Sequence, residues 1–115
     1  MTRFVAVYRT PDDPAGFERQ YRQSHLPLLA RTPGLAHVEI SRVLRTVLGE
    51  PAVYLMAVMD FADPKALQAG MASPEWVASG RNLAQIGGLK LATMFILDDP
   101  ETVPVMADGP AADEG

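Results

Sequence analysis

Apolar and polar positions fall into blocks separated by Pro, Gly and Asp, and the blocks read as four strands and two helical regions. Residues 3–8 form the first strand, with Phe4, Ala6 and Tyr8 on one face and Val5 and Val7 on the other. Asp13-Pro14 then opens a helix. The Asp carboxylate can accept an orphan amide hydrogen bond, and Pro suits the first helical position, where no N–H is needed. The pattern carries this helix to about residue 31, where Thr32-Pro33-Gly34 stops it. Residues 36–44 form the second strand, Gly49-Glu50-Pro51 a turn, and residues 52–61 the third strand. Asp63-Pro64 repeats the helix start, Ser73-Pro74-Glu75 restarts the helix, and Gly87-Gly88 ends it. Residues 89–97 make the last strand.

The order β-α-β-β-α-β predicts an α+β, ferredoxin-like fold: a four-stranded antiparallel sheet with both helices on one face. A dinucleotide-binding arrangement needs more strands and a glycine fingerprint opening a helix, whereas Gly87-Gly88 closes one. Three strands are apolar on both faces. In the third, Val53, Leu55, Ala57, Met59 and Phe61 oppose Tyr54, Met56 and Val58; in the last, Leu91, Phe95 and Leu97 oppose Ala92, Met94 and Ile96. Two helices cover one face only, so the other calls for a partner, most simply a second copy packed sheet against sheet. Residues 1–98 are the expected domain and 99–115 an acidic, Pro- and Ala-rich tail, whose Val103, Val105 and Met106 are too few to cover the sheet alone.

Charge sharpens this division. The net charge of −4 hides six acids and no Lys or Arg after Leu97, which leaves residues 1–97 at about +2. The eight Arg and two Lys are spread along the chain, which argues against nucleic acid as a partner. No apolar run reaches membrane-spanning length and no signal-peptide pattern opens the chain, so a cytoplasmic protein is expected. Without cysteine, disulfides, thiolate nucleophiles and Cys-based metal sites are excluded.

Two histidines narrow the chemistry. Phe17, Tyr21, His25 and Leu28 or Leu29 follow a helical stripe, which turns His25 toward the sheet. Pro27 deprives the Gln23 carbonyl of its usual donor, and the resulting kink is a plausible edge for a cavity. The plain reading is a core histidine satisfied by a backbone carbonyl; the functional reading is an acid–base group lining a pocket. His37 shares a strand face with Glu39 and Ser41. Either this is a solvated edge strand, or His37 and Glu39 line a pocket with Glu39 holding the imidazole. A bulge in that strand would change the shared face. Two histidines twelve residues apart, on a helix and a strand, are no metal-ligand motif, and no metal is expected. Asp60, near a strand end, reads as solvated, with Arg9 a candidate partner; Tyr8 and Tyr54 read as core aromatics.

Phe17-x3-Tyr21-x3-His25-Leu-Pro27-Leu28 followed by Pro33-Gly34-Leu35 resembles the EthD family of dimeric α/β-barrel proteins, named for an accessory gene of ethyl tert-butyl ether degradation. Phe61-Ala-Asp63 with Leu67, Met71 and Ser73-Pro74-Glu75 is similar to its second helix. The resemblance implies a ferredoxin-like monomer and a homodimer through the sheets. It places His25 at the family's helix-one histidine and Tyr21 at its aromatic neighbour. Similar proteins include lactone isomerases and dehydratases or cyclases of aromatic polyketides. Those isomerases that use a cysteine have no counterpart here. The expected function is isomerisation, dehydration or cyclisation of an apolar cyclic or aromatic substrate without an organic cofactor. His25 would be the acid–base group, and Tyr21, His37 and Glu39 would form the substrate pocket. The alternative is a non-catalytic dimer that binds a hydrophobic small molecule or accompanies an oxygenase system. Cofactor-free oxygenase chemistry, known on related barrels, is a third.

Overall fold

The computed structural model describes residues 1–106. The strands are β1 (Thr2–Arg9), β2 (Leu35–Arg42), β3 (Val53–Phe61) and β4 (Ala92–Leu97). The helices are α1 (Pro14–Gln20), α2 (Leu26–Leu29), α3 (Pro64–Met71) and α4 (Pro74–Gln85). The sheet order is β2-β3-β1-β4 with every neighbour antiparallel, the ferredoxin-like arrangement. Each helical region opens on a side-chain cap followed by Pro. Asp13 accepts from the Gly16 N–H at 3.1 Å, Asp63 from Ala66 at 2.8 Å and Ser73 from Trp76 at 3.2 Å.

The first helical region is not one continuous α-helix to residue 31. A π-helical turn, Tyr21–His25, separates α1 from α2, and the Leu26 N–H reaches back to the Tyr21 carbonyl. Pro27 offers no N–H to Gln23, and its ring crowds that carbonyl, so a wider turn before it relieves both problems. The turn also explains the burial. Phe17, Tyr21, His25 and Leu29 are four apart and all buried, whereas an ideal α-helix would drift about 40° per step off the stripe. The second region breaks at Ala72 into α3 and α4, and the expected start of the last strand is instead a 3₁₀ turn, Leu89–Leu91.

Cross-strand rows define the two faces. Val38, Met59, Phe4 and Ile96 form one row, and Ile40, Ala57, Ala6 and Met94 the next. These face the helices, and all but the exposed β4 residues Met94 and Ile96 join Phe17, Tyr21, Leu29, Leu67 and Leu83 in the core or pack against it. Burying each large apolar side chain contributes about 1.5–3 kcal/mol. Close approach sets one glycine: a Cβ on Gly70 would lie 2.8 Å from the Phe61 ring and 3.1 Å from the Pro33 carbonyl oxygen. The opposite face carries the row Glu39, Val58, Val5 and Phe95, with Ser41, Met56, Val7 and Thr93 beside it. No helix covers it. A bulge opposes Leu35 and His37 to Phe61 and Asp60, sending Leu35 to the core face and His37 to the open one. Residues 98–106 have no regular structure and are exposed, so Val103, Val105 and Met106 do not fold back over the sheet. The rest of the expected tail lies outside the described residues.

Candidate functional site

The π-turn delivers His25 to the inner side of its helix, where it is 4% exposed. Its Nδ1 lies 3.1 Å from the Ser79 carbonyl oxygen on α4. A carbonyl only accepts, so Nδ1 carries the hydrogen and donates, and the Nε2 lone pair is left free. Nε2 has no protein partner among the described residues. Burial lowers the His25 pKa from its ordinary value, partly opposed by the bond to Ser79, which favours the charged form. The imidazole at neutral pH is therefore neutral and basic at Nε2.

Beside it lies a cavity of about 240 Å³ between the helices and the sheet, walled mainly by Phe4, Met59, Trp76, Leu83 and Met94. Trp76 stands edge-on to Phe4, with ring centroids 5.0 Å apart. Polar groups on this wall come from His25, Tyr8 and Ser79. The Tyr21 hydroxyl donates to the Tyr8 oxygen at 3.3 Å, and burial raises both phenols above their ordinary pKa. Tyr8 thus stays neutral and keeps its own hydroxyl proton for another acceptor. The arrangement pairs a base with a hydrogen-bond donor in an apolar enclosure. A larger, more open groove of about 690 Å³ is flanked by Asp12, Asp13, Arg19, Ser24, Asn82 and Lys90, and no histidine lines it.

The other expected positions sit elsewhere. Tyr21 is wholly buried and stacks against His25 at a centroid distance of 4.9 Å, behind the cavity wall. His37 and Glu39 lie on the open sheet face and do not line the cavity. His37 faces Asp60 at 3.6 Å, not Glu39. Asp60 is not the solvated acid expected. Its side chain is 14% exposed and lies 3.2 Å from Arg3 Nε. Arg9 turns away and donates to the Lys90 carbonyl at 2.6 Å. Among the described residues no cluster of three or more His, Asp or Glu could hold a metal ion. Nor is any helix there long and apolar enough to cross a membrane.

Three groups were not singled out as site residues by the sequence. Tyr8 was read as core, although its alternation with Ala6 and Phe4 already put it on the helix-facing side. Ser79 acts through its backbone and leaves no side-chain signal. Glu18 organises a polar cluster whose sole sequence trace is its i,i+4 spacing to Arg22.

The EthD domain model matches residues 9–84. The chain belongs to the EthD family. An EthD-family protein from Bacillus halodurans is 32% identical and superimposes with a TM-score of 0.80, over 87% of this chain and 99% of that one. An uncharacterized 11.0 kDa protein from the thcB-thcC intergenic region of Rhodococcus erythropolis is 27% identical over 106 residues, 90% of this chain and 100% of that protein. SnoaB, a cofactor-independent oxygenase from Streptomyces nogalater, shares the fold at a TM-score of 0.56 and 21% identity, covering 90% of this EthD chain and 97% of its own. A dimeric ferredoxin-like protein of unknown function from Jannaschia shares it at 0.63 and 17%, covering 86% and 100%.

Proposed function

We propose that this EthD-family protein binds an apolar cyclic or aromatic small molecule in the His25 cavity and transforms it by acid–base chemistry. No organic cofactor takes part, and a cytoplasmic location belongs to the same reading. The observation that carries it is a buried imidazole, fixed by the Ser79 carbonyl, with its free nitrogen beside an otherwise apolar cavity. At about 240 Å³ the cavity is smaller than the ~300–1,000 Å³ of drug-sized sites, which suits one or two rings. Nε2 takes a proton from a carbon made acidic by an adjacent carbonyl, and Tyr8 donates a hydrogen bond to the carbonyl oxygen, where the charge collects. The imidazolium then returns the proton to another carbon, giving isomerisation, or to a departing hydroxyl, giving dehydration. His25→Gln with fold intact should lower turnover about 10²- to 10⁴-fold. Unchanged turnover would reject the catalytic reading.

The second reading is a non-catalytic binder, alone or accompanying an oxygenase system. It is favoured by the few side-chain polar groups on the cavity wall, His25 and Tyr8 leading them. It predicts saturable binding of an apolar ring with no chemical change on prolonged incubation.

A homodimer through the open sheet faces is part of the proposal. It is supported by the apolar row Val58, Val5 and Phe95 on the sheet face away from the helices, where Phe95 is exposed and Val58 partly so, and by Leu44, Val47 and Leu48, which are 85–101% exposed in the β2–β3 connection. The Jannaschia relative, described as dimeric, points the same way.

A further inference from the structure

A second polar site, sharing no lining residue with the His25 cavity, lies along the outer side of α1. Its centre is Glu18, 8% exposed. The Glu18 carboxylate accepts four hydrogen bonds: from Arg42 Nε at 3.0 Å and Nη2 at 2.6 Å, from Arg22 Nε at 2.9 Å and from the Tyr54 hydroxyl at 2.7 Å. Tyr54 is the extra residue of a bulge in β3, opposite Tyr8 and Arg9, and this places it beside the helix. One buried carboxylate therefore fixes side chains from α1's extension, β2 and β3.

The charge is over-compensated. Arg19 lines the same groove and makes no ion pair or side-chain hydrogen bond among the described residues. With ionised Glu18, the guanidinium groups of Arg19, Arg22 and Arg42 leave the groove at about +2. Arg22 is tied through Nε, and Arg42 through Nε and Nη2, so the Arg22 Nη groups and Arg42 Nη1 point donors at no protein acceptor among the described residues. A guanidinium held by one edge is pre-oriented to offer the other, which cuts the ordering cost of binding.

We propose that this groove of about 470 Å³ binds an oxyanion, the carboxylate or phosphate group of a small molecule, between Arg19, Arg22 and Arg42. Pro14, Ala15 and the Tyr54 ring supply apolar wall for the body attached to it. Glu18 is not a competitor for the ligand. It is the internal counter-charge that lets two guanidinium groups sit together.

The test is calorimetric titration of the full chain with inorganic phosphate and, separately, with benzoate, each at constant ionic strength against a chloride control. Saturable binding is expected for at least one, and the tighter of the two identifies phosphate or carboxylate as the natural group. Arg19 holds no protein contact of this kind, so Arg19→Gln should fold and melt as the parent does while weakening binding about three- to tenfold. Arg42→Lys should weaken it further, because an ammonium cannot reproduce the fork. No saturable binding above the chloride control, or an affinity unchanged in Arg19→Gln, would overturn the proposal.

Discussion

His25 Nδ1 lies 3.1 Å from the Ser79 carbonyl oxygen, which ties the π-turn of the first helical region to the middle of α4 and leaves Nε2 as the one ring nitrogen available to a ligand. The bond exists because one local irregularity meets the inner face of a regular helix. Pro27 widens the turn that aims His25, and α4 presents Ser79 inward with 3% exposure.

The first prediction concerns protonation. Burial depresses the folded-state pKa of His25 below its ordinary 6.5, so the unfolded chain binds more protons than the folded one as pH falls past that value. The His25 contribution to stability is therefore complete above 6.5, declines on acidification and is lost once pH passes below the folded value. Urea unfolding at a series of pH values should show this decline, and His25→Gln should flatten it. A decline unchanged in the variant would assign it to other groups.

Gly80 lies inside α4 and lines the cavity, and a Cβ there meets nothing within 4 Å. Gly80→Ala should stabilise the protein by about 0.5–1 kcal/mol through the helix backbone alone. Gly80→Leu should retain the fold and lose binding of small aromatic probes, because its side chain enters the cavity. Thermal melts and phenol titration check the two halves.

Glu18 loses its contribution in the same direction as His25 but at lower pH, because here the charged form is the one favoured. Its hydrogen bonds to Arg42, Tyr54 and Arg22 hold its carboxyl down from 4.5 to about 2. Its stabilisation is present above 4.5 and is lost as pH falls toward 2. Glu18→Gln should cost about 1–3 kcal/mol at neutral pH, measured by urea unfolding, with little cost at pH 2.

Much of this fold is legible in the sequence for local reasons. Asp13-Pro14, Asp63-Pro64 and Ser73-Pro74 each state a helix start within two residues, and strict alternation states the faces of β1 and of β3 from Leu55 onward, whereas the bulge at Tyr54 left no local signal. The orientation of His25 was legible because helical spacing and Pro27 act within one turn of it. What was not legible depends on contacts across the fold. Arg42 reaches Glu18 over 24 residues and Ser79 receives His25 over 54. Asp60 was misread as solvated because its partners Arg3 and His37 come from two other strands. Tyr21 was placed in the pocket, yet the face that buries it completely also sets it behind Tyr8, and periodicity does not resolve depth along one face.

The homodimer gives a direct mass test. Light scattering should give twice the 12.4 kDa chain mass. Val58→Glu or Phe95→Asp, on the open face beside Val5, should return it to the monomer while leaving helical content unchanged. A monomeric parent would remove the second copy from the account.

The most direct test of the central claim is the nitrogen-15 resonance pattern of the two histidines with and without added phenol. The account predicts that His25 is the Nδ1–H tautomer with a bare Nε2, that phenol shifts Nε2 saturably, and that His37 does not respond. A His25 protonated at Nε2 instead, or one unmoved by a phenol that binds, would contradict it.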